Sequence, residues 1–265
     1  MMQSSFASVS FWDLALCLSV ALAVFGFLVV LVIFLSLEIS HNSPISKSRP
    51  RNSPVHLLLV LGSGGHTAEM FYMLEHADMT CYSYRTYVVS SGDSFSAGKA
   101  KEFEAERTCP DDNYNIVTVP RARRVHQSYL TAPFTTLQCF WACFNVLCGL
   151  HPGQRLPEQY SSPFPDLILT NGPATSVCVA LAAKLIRFFQ YISSFRFSSR
   201  SSATLPISQL RILHTESWAR VQKLSMSGIL MLPLADNFLV QWPDLGGLRA
   251  WVGMKRTKYA GWLVI

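Results

Sequence analysis

The stretch His56–Met70, "HLLLVLGSGGHTAEM", decides the fold. Five consecutive apolar residues, Leu57 to Leu61, show no alternation, which marks a strand buried on both faces. The glycine-rich turn Gly62-Ser63-Gly64-Gly65 follows, and residues 66–76 carry a helical pattern. A tight turn at a strand end leaves backbone N–H groups free at a helix N-terminus, where a phosphate or diphosphate is favoured. The turn is not a complete GxGxxG, because Thr67 stands at the last glycine position. No acidic residue ends the next strand at Ser90-Ser91, so a dinucleotide ribose is disfavoured. The glycines are equally compatible with close strand–helix packing alone. His66 sets the turn apart: at a helix start it can reach a cleft, accept a proton from a sugar hydroxyl or donate to a phosphate oxygen. A capping or core histidine is the plainer alternative.

The pattern repeats along the chain. Apolar strands are expected at 55–61, 84–91, 114–120, 165–170, 210–215 and 236–242, and helices at 66–76, 96–107, 131–150 and 174–189. Apolar strands separated by helices predict a Rossmann-like, doubly wound parallel α/β sheet, with ligand-facing residues just beyond the strand ends. Residues 38–53, rich in Ser, Pro and Asn, suit a linker, and the Ser-rich 190–208 an inserted loop. The expected organisation is therefore 1–37 as N-terminus and anchor, 38–53 as linker and 54–265 as one domain.

The anchor follows from composition. Half of the 265 residues are hydrophobic and only 14% are charged, against about 25% in soluble domains. Leu14–Leu37 carries no charge and as a helix spans roughly 36 Å, enough for a bilayer. A cleaved signal peptide fits poorly, since no Lys or Arg precedes the run and its core is too long. Asp13 is the one charge before the span, whereas Lys47, Arg49 and Arg51 follow it. The basic side stays cytoplasmic, so the short N-terminus is expected in the lumen and the domain in the cytosol. Seven cysteines without a CxxC pair suit a reducing compartment, and Cys139, Cys143 and Cys148 suit buried thiols. No cluster of acidic residues stands out, so no metal ligand is expected.

The net charge of +6 concentrates in Arg121, Arg123 and Arg124, and in Lys255, Arg256 and Lys258. These suit a solvated face or anionic headgroups. No nucleic-acid motif accompanies them. Residues 131–150 place Phe134, Leu137, Phe140, Trp141, Phe144, Leu147 and Cys148 near helical spacing. A core helix is the ordinary reading, and a helix at the membrane surface the sharper one. Two further strand ends hold candidate site residues. Asn171-Gly172-Pro173 makes a turn, with Thr175 and Ser176 at the next helix start. Glu216 follows the fifth strand, with Ser217 and Arg220 nearby. Capping and helix-dipole effects account for both groups without function; a cleft accounts for them equally.

"GSGGHTAEM", "VPRARRVHQSYLTAPFTT", "PDLILTNGPATSVC", "HTESWARVQKLSMSG", "FLVQWPDL" and "KYAGWLV", together with the N-terminal span, resemble one family closely. It is the membrane-anchored subunit of the UDP-N-acetylglucosamine transferase that adds the second GlcNAc to dolichol-diphosphate-GlcNAc. The resemblance implies the acceptor-side half of a split GT-B glycosyltransferase, acting by inverting transfer. Its donor-side half would be a separate soluble subunit holding most UDP-GlcNAc contacts, with no cofactor bound by this chain alone. It further implies the endoplasmic reticulum membrane, extending to the nuclear envelope. Gly62, Ser63, Gly64, Gly65 and Thr67 would then border the acceptor diphosphate, with Asn171, Gly172, Thr175 and Arg220 in the same cleft. His66 or Glu216 would be the base, and Arg121, Arg123 and Arg124 would meet the membrane surface. The alternative is a scaffold without catalytic residues. Residues 190–208 and "GGLRAWVGMKRT" (246–257) depart from the family pattern.

Overall fold

The computed structural model describes residues 54–106, 114–123, 127–128, 130–155, 157, 162–197 and 209–264, together with Ser19 and Gly26. Apart from those two helical residues, the expected span 14–37 lies outside the described residues, as do the linker, Arg124 and 198–208.

Seven strands form one parallel sheet in the order β3-β2-β1-β4-β5-β6-β7. They are β1 His56–Val60, β2 Tyr84–Ser90, β3 Tyr114–Val119, β4 Leu167–Thr170, β5 Arg211–Thr215, β6 Asn237–Val240 and β7 Lys258–Tyr259. The helices are α1 Gly65–Glu75, α2 Ser94–Glu106, α3 Ala132–Leu147, α4 Ala174–Phe197 and the short α5 Met226–Met231. β1 lies inside the sheet, with Leu57 paired to Arg85 of β2 and to Leu167 of β4. The chain winds outward to β3, then returns to place β4 beside β1. The strand order reverses there, and in open parallel sheets that reversal opens a crevice beyond the strand ends.

Alternation along each strand divides the core. Leu57, Leu59 and Leu61 meet Phe71, Leu74 and Phe103 of α1 and α2 on one face. Leu58, Val60 and Ile168 meet Cys139, Cys143, Ala180 and Ala183 of α3 and α4 on the other. All five residues of β1 are buried, which is why its apolar run shows no period. Two buried ion clusters tie helices to strands. Glu104 of α2 takes Arg85 Nε at 2.6 Å and Tyr87 Oη at 2.6 Å. Asp236 takes Lys184 and Arg187 of α4 at 2.9 and 2.7 Å and accepts from the Ile212 amide at 2.9 Å. Burial lowers the Lys184 ammonium to about 8 against the pull of Asp236.

Three differences from the sequence expectation are physical. α4 continues to Phe197, so 190–197 is helix rather than the start of an inserted loop: "FFQYISSF" holds no Gly or Pro to stop it. α5 is six residues long around Gly228, too short for a period to show. β7 is two residues pairing Lys258 with Leu239 and Tyr259 with Val240, so its existence depends on a distant partner. The segment before β7 closes on Thr257, whose hydroxyl donates to Leu245 O at 2.6 Å and accepts from Leu248 N at 2.9 Å. Within α4, Ala174–Ser193 is long and apolar enough to cross a bilayer, yet 61% of its most apolar stretch is buried in the domain; its packing on the sheet makes it a core helix.

Candidate functional site

The ends of β1, β4 and β5 converge where the strand order reverses. The loop after β1 is locked from below. Thr67 Oγ1 donates to the Gly62 carbonyl, and Ser96 Oγ lies 3.0 Å from the same oxygen. Ser96 is in turn held by Asp93, with its amide 3.1 Å and its hydroxyl 2.7 Å from the carboxylate. Gly64, at φ 62°, precedes α1 without a capping side chain. The first-turn amides of α1 therefore have no side-chain acceptor and form a dipolar, donor-rich edge.

His66 is seated between two glycines. A Cβ at Gly62 would stand 2.8 Å from His66 Cβ, and one at Gly172 would stand 2.7 Å from His66 Nδ1. Gly172 has φ 71°, so the turn after β4 needs glycine for both backbone and space. The imidazole is half-buried, and its Nδ1 is buried with no hydrogen-bond partner among the described residues. Asn171 is fully buried, and its Nδ2 donates to Glu69 Oε2 at 2.9 Å. Ser217 Oγ donates to the other Glu69 oxygen at 2.8 Å. One carboxylate thus joins α1 to the loops after β4 and β5.

Glu216 is buried beneath the loop that follows β5. Its carboxylate accepts from the Ser217 and Ser225 amides, each at 3.3 Å, and packs on Gly228, where a Cβ would lie 3.1 Å from its Cδ. The residue is 1% exposed. Burial raises its carboxyl above the ordinary value, opposed by Ser225, Ser217 and Arg220. It clasps the 217–225 loop, whereas the expectation placed it facing substrate.

The other expected positions divide. Ser63, Gly64 and Gly65 are exposed, Gly62 and Thr67 are buried beneath the turn, and Arg220 is exposed. Thr175 is 3% exposed and paired with Ser90 Oγ at 3.0 Å, which ties α4 to β2 instead of facing a ligand. Arg121 Nε donates to Ser91 O at 2.8 Å and Arg123 donates to Gln127 O at 3.3 Å. Beside them Leu130, Phe134, Leu137 and Trp141 are 62–85% exposed.

Two site residues escaped the sequence reading. Glu69 lies three residues after His66 on α1, on the same helix face. His214 lies two residues before Glu216 on β5, and strand alternation puts both on one side. His214 is fully buried, stacks edge-on with Phe238 at 4.6 Å between ring centroids, and meets Thr170 Oγ1 at 2.8 Å. Burial, with His66 nearby, lowers it to about 3. Its Nε2, like Asn171 Oδ1 and Ser176 Oγ, is buried without a partner among the described residues. No group of three or more His, Cys, Asp or Glu at metal-binding distance occurs among them.

The chain is thus a Rossmann-like α/β protein whose candidate site lies at the switch point, with a histidine in the first turn of an uncapped helix seated between two glycines. It belongs to the Alg14 family: the family profile described as "Oligosaccharide biosynthesis protein Alg14 like" matches residues 57–263. Relatives include the "UDP-N-acetylglucosamine transferase subunit alg14" of Aspergillus fumigatus, 55% identical over 74% of this chain and 100% of the relative. The Schizosaccharomyces pombe protein of the same description is 35% identical over 91% of this chain and 95% of its own. The Homo sapiens protein is 34% identical over 85% of this chain and 88% of its own. No solved structure matches the chain.

Proposed function

We propose that this chain is the membrane-anchoring, acceptor-side subunit of a two-subunit UDP-N-acetylglucosamine transferase that extends GlcNAc-diphosphodolichol by a second GlcNAc. The observation that carries this reading is His66, half-buried against Gly172 at the switch point, beside the uncapped amides of α1. The relatives' shared description as transferase subunits supports the reaction class.

In the proposed step the acceptor 4-hydroxyl attacks the anomeric carbon of UDP-GlcNAc. The new C1–O bond forms as the bond to UDP breaks, and the hydroxyl proton passes to the Nε2 of His66, the ring nitrogen on the open side. General-base assistance of this kind contributes about 10²–10⁴ in rate. The α1 amides and the Gly62–Gly65 turn stabilise the acceptor diphosphate. Glu216 and Glu69 hold the surrounding loops. The donor binds mainly to a soluble partner, because a second Rossmann-sized domain is needed to complete a GT-B fold. The C-terminal edge, where Trp218, Trp242 and Trp262 are spaced at 6.1 Å between neighbouring rings, suits that partner.

The test is His66→Ala in membranes, assayed for chitobiosyl-lipid synthesis alongside co-purification of the soluble subunit. The expected result is a loss of at least about 100-fold with the partner still bound. Full activity with full recruitment would leave only the scaffold reading.

A further inference from the structure

We propose that Glu69 is a positioning residue for the transferase: by holding Asn171 and Ser217 at once, its carboxylate fixes Gly172 and with it the seat of His66. The proposal rests on His66 being the base and deepens that reading by naming the side chain that keeps the base in place.

Glu69 lies three residues after His66 on α1, so one turn of helix carries both on the same side. Glu69 Oε2 accepts from Asn171 Nδ2 at 2.9 Å, and Oε1 accepts from Ser217 Oγ at 2.8 Å. A carboxylate offers two acceptor oxygens, and both are used here on donors from other loops. Ser217 gives its one hydrogen to Glu69 and takes the Ala219 amide on a lone pair, at 3.3 Å.

Asn171 is 0% exposed in the turn after β4. Its Nδ2 also lies 3.4 Å from the His66 carbonyl. The next residue, Gly172, packs against the His66 ring so closely that a Cβ there would stand 2.7 Å from Nδ1 and 3.1 Å from Nε2. The Gly172 carbonyl accepts from Ser227 Oγ of α5. The turn that seats His66 is therefore held from two sides, by Glu69 through the Asn171 side chain and by Ser227 through the backbone. From Ser227 the contacts run to Ser225 Oγ at 3.1 Å, then to Glu216, which takes the Ser225 and Ser217 amides, and so back to Glu69. This closed circuit reaches the helix of His66 at Glu69. Without the carboxylate, a buried amide and a hydroxyl lose their acceptor, and the turn is free to shift against the ring. A shift near 1 Å at a reacting group costs about 100-fold.

Glutamine and alanine at 69 separate placement from packing. Glu69→Gln keeps an oxygen for Asn171 and turns its amide hydrogen to Ser217, whose hydroxyl can accept; Glu69→Ala keeps neither contact. Asn171→Asp sets two carboxylates face to face, and adding Glu69→Gln restores a donor between them. Each variant is assayed in membranes as the full complex for kcat and acceptor KM, with co-purification of the soluble subunit reporting folded protein. For Glu69→Ala the expectation is a kcat lower by about 10- to 100-fold with acceptor KM unchanged, and for Glu69→Gln a kcat near the wild type. Asn171→Asp should lose as much, and should regain about 10-fold of it when Glu69→Gln is added. In a His66→Ala background Glu69→Ala should cost nothing further, because both changes disable one base. Where Glu69→Ala does not fold, the Asn171→Asp pair carries the test. A wild-type kcat in Glu69→Ala, an equal loss in Glu69→Gln, an undiminished further loss in the His66→Ala background, or an Asn171→Asp defect untouched by Glu69→Gln would overturn the inference while leaving His66 as base. Wild-type activity in His66→Ala alone would reject the base, and the inference with it.

Discussion

Gly172 has φ 71° and the His66 ring lies on the place of its missing Cβ, 2.7 Å from Nδ1. Substitution by alanine meets two penalties, the left-handed backbone and the ring itself. The ring can give way by rotating into the cleft, whereas the backbone cannot. Gly172→Ala is therefore expected to keep the fold while losing activity by about 10-fold or more, because displacements near 1 Å at a reacting group cost about 100-fold. Circular dichroism with partner co-purification checks the first part, and the transferase assay the second. Wild-type rates in Gly172→Ala would mean that the seating of His66 does not matter. At this scale the sequence pointed to His66, Gly172 and Asn171 as proposed site positions, because the turns after β1 and β4 are legible from their strands. It left open how Glu216 is seated, because whether a carboxylate after a strand points outward or under its own loop depends on Ser225 and Gly228, nine and twelve residues on. Glu69 and His214 acquire their roles from partners on other elements, Ser217 and Asn171 for one and Thr170 for the other.

Among the elements, α3 is divided lengthwise. Cys139, Cys143, Val146 and Leu147 are buried on the sheet side. Phe134, Leu137 and Trp141 point away, 72%, 66% and 62% exposed, with Leu130 just ahead at 85%. The helix is joined to the arginine loop, since Thr135 and Thr136 both donate to Ala122 O, at 2.9 and 3.0 Å. The buried face makes it a core helix, and the exposed apolar face leaves room for the membrane-surface reading as a proposal. An apolar stripe beside Arg121 and Arg123 suits the headgroup boundary of an anionic membrane. Phe134→Asp with Trp141→Asp should leave thermal stability within about 1 kcal/mol, since neither side chain is in the core. Flotation with phosphatidylserine vesicles should show weaker binding of the chain lacking 14–37 and carrying both changes than of the chain lacking 14–37 alone. Undiminished flotation would remove α3 from the membrane surface. Strand and helix positions were legible to within one or two residues for most elements because each buries a continuous face. The exceptions, β7, α5 and the last two turns of α4, are short or exposed and take their form from neighbours.

For the whole molecule, the two ends of the sheet respond to acid in the same direction. His56 enters β1 at one end, 1% exposed, with Nε2 2.8 Å from Thr86 Oγ1. Burial lowers it to about 4, against the pull of Asp166. His214 closes β5 at the other end, lowered to about 3 by burial with His66 adding to the effect. A histidine depressed on folding binds protons more readily when unfolded. Its contribution is complete above the ordinary value near 6.5 and is lost as pH falls toward the folded value. At pH 5 each ring is about 1.5 units below its ordinary value, equivalent to about 2 kcal/mol apiece at about 1.36 kcal/mol per unit. Glu216 acts in the opposite sense: raised by burial, it stabilises below the ordinary carboxylate range and loses that contribution as pH rises through its folded value. Its contribution opposes that of the histidines as the pH falls. The detergent-solubilised chain should therefore lose roughly 10 °C of melting temperature between pH 7 and pH 5. His56→Gln and His214→Gln should each remove about half of that fall, and the double variant nearly all of it. A melting temperature flat from pH 7 to 5 in the wild type, or a fall unchanged in the double variant, would show that these buried rings do not govern the acid limit of the fold.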